Sequence, residues 1–247
     1  MRAVFIGCVD FSYGMLERLL ELDGINLAGI VTRKVSDSNA DFRSVEPLAK
    51  IGGVPCLNVT DNDQEKMGTW ISDIGPDVVF CFGWSYLLGR EILAIPREFV
   101  MGYHPSLLPK NRGRHPIVWA LARGLKETGS TFFIMDAGAD SGDIVSQHRV
   151  AISDTDNAAS LYAKLKDTAV GQLEEIVTGL IGGTLQRKPQ NSDEATMLRK
   201  RGKKDSEIDW TMPAVCVYNS GSCLNLALCG CALLLQGRGA KSLGRRA

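Results

Sequence analysis

Val4-Phe5-Ile6-Gly7 and Pro76-Asp77-Val78-Val79-Phe80-Cys81-Phe82-Gly83 decide the fold. Each is a short, unbroken apolar run that ends at a glycine. A strand with one wet face alternates apolar and polar residues, whereas a run that is apolar at every position is buried on both faces. Between the two runs the period changes. Residues 11–22 place Met15, Leu16, Leu19 and Leu20 at helical spacing, and residues 27–32 form another apolar run. Residues 45–51 read as a helix stopped by Gly52-Gly53, residues 54–57 as a third strand and residues 63–72 as a further helix. Strand and helix therefore alternate. That predicts an α/β fold: a Rossmann-like, doubly wound, mostly parallel sheet covered by helices on both faces. Further on, residues 157–178 read as one amphipathic helix with Leu161, Leu165, Leu173 and Ile176 on its apolar side.

The loops at the carboxyl ends of such strands are where ligands bind. Gly7-Cys8-Val9-Asp10-Phe11-Ser12 is the first. It lacks the spacing of a dinucleotide fingerprint; it is either an anion site on the backbone N–H groups of the next helix or an ordinary strand-to-helix turn. Gly83-Trp84-Ser85 is the second. The third is Tyr103-His104-Pro105-Ser106-Leu107-Leu108-Pro109, with a histidine just past a strand-like run. A carboxylate-rich, glycine-rich loop follows, Asp136-Ala137-Gly138-Ala139-Asp140-Ser141-Gly142-Asp143. His104 alone would suit a structural histidine, and Asp140 alone a turn. Together they offer an imidazole, whose ordinary pKa of ~6.5 lies near neutrality, and a carboxylate to orient it.

Composition narrows the classes. The chain has 247 residues, is 45% hydrophobic and carries 28 Lys+Arg against 28 Asp+Glu, so it can build a core and has no net field drawing it to nucleic acid. Seven cysteines, an odd number with no Cys-x-x-Cys pair, argue for a reducing compartment and against a disulfide framework or zinc site. The N-terminal apolar run is too short for a signal peptide core, so a cytoplasmic location with no membrane partner is expected. Arg199-Lys200-Arg201-Gly202-Lys203-Lys204 is the one charge run and reads as solvated surface.

The His104 and Asp140 motifs resemble the active site of the folate-dependent formyltransferase family, of the methionyl-tRNA formyltransferase type. Lys110-Asn111-Arg112-Gly113-Arg114, Pro116-Ile117-Val118-Trp119-Ala120 and Ile208-Asp209-Trp210 are most similar to the nucleotide-sugar N-formyltransferases. The resemblance implies 10-formyltetrahydrofolate as formyl donor and a nucleotide-linked amino sugar as acceptor. It also implies His104 as general base and oxyanion stabiliser, with Asp140 as its partner. Phe82, Gly83, Trp84, Leu87, Ala137, Gly138 and Ala139 correspond to the segments that hold the pteridine in such enzymes. Ser12, Arg112 and Arg114 are the expected substrate contacts; no metal is expected, and a homodimer is allowed. Two other readings stand beside this one. One is methionyl-tRNA as acceptor, although no basic stripe supports it. The other is a folate-binding protein with little or no catalysis.

That last reading arises because the chain departs from the family pattern Asn-x-His-x-Ser-Leu-Leu-Pro: the Asn position is Gly102. The Asn111 amide is the candidate substitute donor for the oxyanion. The chain is expected to divide into a formyltransferase catalytic domain over residues 1–183, a linker and the start of a C-terminal subdomain over 184–219, and an aberrant tail over 220–247. Synonymous codons for the tail, read one base later, give R-A-L-T-W-P-Y-V-G-A and K-V-W, segments of the family's C-terminal appendage. A frameshift near Ser220 is therefore expected.

Overall fold

A computed structural model describes residues 1–35 and 41–224. The tail beyond residue 224, where most of the expected frameshifted segment falls, lies outside the described residues. In chain order the elements are β1 (Arg2–Ile6), α1 (Asp10–Glu21), β2 (Asn26–Arg33), α2 (Glu46–Ile51), β3 (Cys56–Val59), α3 (Gln64–Ile74), β4 (Val78–Cys81), α4 (Arg90–Leu93) and β5 (Phe99–His104). There follow β6 (Arg112–Gly113), α5 (Pro116–Ala122), β7 (Glu127–Ile134), β8 (Ile144–Ala151), α6 (Ala158–Ile181), β9 (Met197–Leu198) and α7 (Ala214–Leu224).

Seven strands form one sheet in the order β3-β2-β1-β4-β5-β7-β8. The first five run parallel, while β7 and β8 are antiparallel additions at one edge. Connections run outward from β1 in one direction and from β4 in the other, so a crevice opens between the carboxyl ends of β1 and β4.

Strand alternation divides the core into two layers. Ala3, Phe5, Val78, Phe80 and Met101 pack with Met15, Leu16 and Leu19 of α1 and Leu173 and Ile176 of α6. Val4, Ile6, Val79, Cys81 and Val100 face the other way, onto Met67 and Ile71 of α3 and Ile92 of α4. Both faces are dry, which is why these strands carry no polar alternation. A third cluster joins Ile117, Val118 and Leu121 of α5 to Val150, Ile152, Leu161 and Leu165.

The helix starts are chemically specified. Asn157 caps α6 by accepting from the backbone N–H groups of Ala159 and Ser160, and Asp63 caps α3 by accepting from Lys66. Gly75, at φ 61°, closes α3 in the left-handed conformation that glycine adopts without penalty. None of the helices in the described residues is long and apolar enough to cross a membrane. A two-residue pairing of β6 with β9 folds the chain after α6 back over the carboxyl end of β5.

Candidate active site

Of the two readings of the first loop, the hydrogen bonds select the ordinary strand-to-helix turn. The backbone N–H groups of Cys8 and Val9 both donate to Ser12 Oγ at 3.1 Å. The Asp10 N–H donates to Asp41 O at 2.9 Å, and the Phe11 N–H to Tyr162 Oη at 2.8 Å. The donors that would hold an anion at this end of α1 are thus satisfied inside the protein. Ser12 itself is fully buried and donates to Phe82 O at 2.6 Å. It ties β1 to β4 and has no surface to offer a substrate, which corrects its expected role. Phe82 is corrected with it. Its ring is core, edge-on to Phe5 and Phe132, while its N–H is used by Ile6 and its carbonyl by Ser12.

His104 ends β5. Alternation sends Tyr103 into the core, stacked on Phe11 at 4.2 Å, and turns Gly102 and His104 together to the other face. The loop beyond is tightly held. Ser106 Oγ donates to Lys110 O, Thr131 Oγ1 to Ser106 O and Gln147 Nε2 to Leu108 O. The imidazole is 6% exposed and held through Nε2. Nε2 lies 2.8 Å from Asn111 O, an acceptor only, so Nε2 carries a hydrogen. Nδ1 faces Asp140 Oδ2 at 3.4 Å. The same carboxylate oxygen accepts the Gly113 N–H at 2.8 Å. Backbone strain gathers here: Asn111, His115 and Asp140 adopt positive φ, and Asp61 is the other non-glycine residue that does so among the described residues.

The loop from Asp136 to Asp143 is an Asp-organised turn, in which Asp136 Oδ1 accepts from the Gly138 N–H and the Ser141 hydroxyl. Ala137 and Gly138 are exposed, and Ala139 is half-buried. Across the crevice, Gly83 sits at φ 70°, Trp84 is half-buried and Leu87 is 62% exposed. The indole Nε1 of Trp84 is buried without a protein partner. Arg114 links the two sides, because its Nη1 donates to Ser85 O at 2.9 Å while its neighbour Gly113 holds Asp140.

The Arg112 expectation changes here. Arg112 is buried at 9% exposure, and its Nε and Nη2 both donate to Gln190 Oε1, so it is committed internally. Asn111 contributes its backbone carbonyl to His104, while its side-chain Oδ1 lies 3.5 Å from Arg123 Nη1 and serves that guanidinium. The charge run is solvated at Arg199, Lys200 and Lys204, as expected, and departs from that reading at Arg201. Arg199 forks onto Asp205, and Arg201 is buried against the Trp119 ring at 4.8 Å. His115, whose Nδ1 accepts the Arg201 N–H at 3.4 Å, has its pKa lowered by burial and then by Arg114, Lys200 and Arg201.

Burial pushes the Cys8 and Cys56 thiols up to about 11, which makes both poor nucleophiles. Among the described residues no group of His, Cys, Asp or Glu could hold a metal ion. Gln190, Thr196 and the Asn111 carbonyl had no sequence signal, since they lie in irregular segments or act through backbone atoms.

Comparison with known proteins places the chain in a family. A methionyl-tRNA formyltransferase of Caldanaerobacter subterraneus subsp. tengcongensis is 34% identical over 225 residues, covering 89% of this chain and 72% of the relative. An N-formyltransferase from Helicobacter canadensis, solved with folinic acid and dTDP-3-aminofucose, superposes with a TM-score of 0.68 at 17% identity, over 90% of this chain and 79% of that one. A methionyl-tRNA formyltransferase from Clostridium thermocellum gives 0.68 at 17% identity, over 96% and 88%. The profile of the formyl transferase family matches residues 19–177, most of the chain that builds the sheet. Sequence, fold and family profile converge, and the chain belongs to the formyl transferase family.

Proposed function

We propose that this chain moves the formyl group of 10-formyltetrahydrofolate to the primary amine of a nucleotide-linked amino sugar, with His104 and Asp140 at the reacting centre. The observation that carries the proposal is the fixing of His104. Because Asn111 O holds the hydrogen on Nε2, Nδ1 is the nitrogen that can accept a proton. Asp140 stands beside Nδ1 to stabilise the resulting imidazolium.

The donor supplies a formyl group bonded to nitrogen. The residues lining the crevice suit a flat, polar heterocycle. They include a buried indole N–H without a partner, the exposed backbone of Ala137 and Gly138, and the apolar Leu87. As the amine attacks the formyl carbon, His104 Nδ1 takes the proton the amine sheds. It returns that proton to the departing folate nitrogen as the old C–N bond breaks, so protons balance over the cycle. The imidazolium formed midway also offsets the negative charge that develops on the formyl oxygen, which suits a site without an asparagine at Gly102.

Two observations favour a small acceptor. Net charge is zero, and two arginines of the one basic run, Arg199 and Arg201, are engaged by Asp205 and the Trp119 ring. A tRNA partner draws most of its affinity from phosphate contacts and would need such charges free. The second reading, methionyl-tRNA, is favoured by the 34% identity to a methionyl-tRNA formyltransferase. The test is a side-by-side assay of purified protein with 10-formyltetrahydrofolate and either a panel of nucleotide amino sugars or charged initiator tRNA. Formylated sugar in the mass spectrum supports the first reading. Formylated methionyl-tRNA alone replaces it with the second.

A further inference from the structure

We propose that Gln190 is a positioning residue that sets the geometry of the His104–Asp140 pair from outside the span matched by the family profile. The inference rests on the formyl-transfer reading of that pair. A primary amide has two acceptor sites and two N–H donors, and Gln190 uses all four. Its Oε1 accepts from Arg112 Nε at 3.1 Å and Nη2 at 2.7 Å. Its Nε2 donates to Asp140 O at 2.9 Å and to Gly142 O at 2.6 Å. The orientation is chemically fixed, because a flipped amide would set N–H against guanidinium and oxygen against two carbonyls.

One side chain thus joins the loop that carries the His104 acceptor, through Arg112, to the loop that carries Asp140. Its own segment is anchored on both sides. Lys188 and Ile144 exchange backbone hydrogen bonds at 2.8 Å, Thr196 Oγ1 accepts the Asn111 N–H at 2.8 Å, and β9 pairs with β6. The family profile ends at residue 177. The strap from Lys188 to Leu198 therefore contributes to the reacting centre while lying beyond the matched region. Asn111 and Asp140 both hold positive φ, a conformation that relaxes unless surrounding contacts enforce it. Gln190 supplies two such contacts to the Asp140 loop and, through Arg112, steadies the Asn111 loop.

The test uses Gln190→Ala and Gln190→Glu, with Gln186→Ala, an exposed glutamine just before the strap, as control. The chain has three histidines, so ring 15N signals can be assigned by replacing His115 and His148 in turn. The wild-type protein is expected to show His104 as a single tautomer protonated at Nε2. Gln190→Ala should give the mixed-tautomer signal of an unrestrained imidazole. Its kcat should fall about 10- to 100-fold with KM for the donor little changed, the scale expected for misplaced reacting groups. Gln190→Glu keeps an acceptor for Arg112 but loses both donors, so it should fall between the two. A Gln190→Ala protein with a wild-type His104 signal overturns the proposal, even if its melting temperature drops. If no acceptor is formylated by wild type but the Gln190→Ala signal still changes, the transfer reading fails and the positioning inference stands.

Discussion

Phe133 stands where a side chain on Gly102 would go. A Cβ built on Gly102 would lie 2.9 Å from Phe133 Cζ and 2.9 Å from Met135 Cγ, closer than real Cβ atoms come to their neighbours. The two residues are direct partners across the β5–β7 ladder. The missing asparagine is therefore a packing exchange: the amide's volume is taken by an aromatic ring from the neighbouring strand.

That exchange predicts a paired mutational effect. Gly102→Asn alone should be destabilised by about 1–3 kcal/mol through overpacking and should gain no activity. Gly102→Asn with Phe133→Leu should regain stability and raise kcat, since an oxyanion donor is worth roughly 10²–10³ in rate. Thermal melts and steady-state kinetics on the three proteins check both halves.

Ser12 gives the second prediction. Its buried hydroxyl satisfies Cys8, Val9 and Phe82 at once. Ser12→Ala should cost about 2–3 kcal/mol in chemical denaturation, because buried partners are left unpaired. KM for the acceptor should be unchanged in the folded fraction, the result expected of a joint between β1 and β4 and not of a substrate contact.

Acid lowers stability in two separate windows. His115 is held below its ordinary 6.5, by burial first and by Arg114, Lys200 and Arg201 next. The unfolded chain therefore binds a proton before the folded one does, and stability falls as pH drops below about 6.5. For Asp156, burial opposes the charge, but hydrogen bonds from Lys164, Ser153 and Ser160 outweigh it and hold the carboxyl well below the usual range. Its contribution is complete above the unfolded value of 3.8 and is lost as pH falls through the lower folded value. Denaturation midpoints against pH should lose the upper step in His115→Gln. Asp156→Asn should weaken the lower step and cost about 1–3 kcal/mol at neutral pH.

The sheet was legible because its signal is local and repeated. Continuous apolar runs such as Val78–Cys81 and the helical spacing of Met15, Leu16 and Leu19 report burial on two faces, and the structure shows a sheet packed by helices on both. His104 and Asp140 were legible through their flanking motifs, and the structure brings them to 3.4 Å. Arg112, Ser12 and Phe82 were misread because residue type shows what a side chain can bond, not whether the protein already uses that capacity. Only the fold reveals that Gln190 occupies Arg112 and that the Cys8 and Val9 N–H groups occupy Ser12. Asn111 acts through its carbonyl, for which no side-chain identity gives a signal.

The measurement that tests the account most directly compares wild type with His104→Ala in two assays on the same preparations. One is binding of 5-formyltetrahydrofolate, an unreactive isomer of the donor, followed by tryptophan fluorescence. The other is single-turnover formyl transfer to whichever acceptor the side-by-side assay identifies. The account predicts saturable binding by both proteins, with transfer by His104→Ala lower by roughly 10²–10⁴, the usual worth of a general base. Transfer by His104→Ala at the wild-type rate, or a folded wild-type protein that binds no folate, would contradict it.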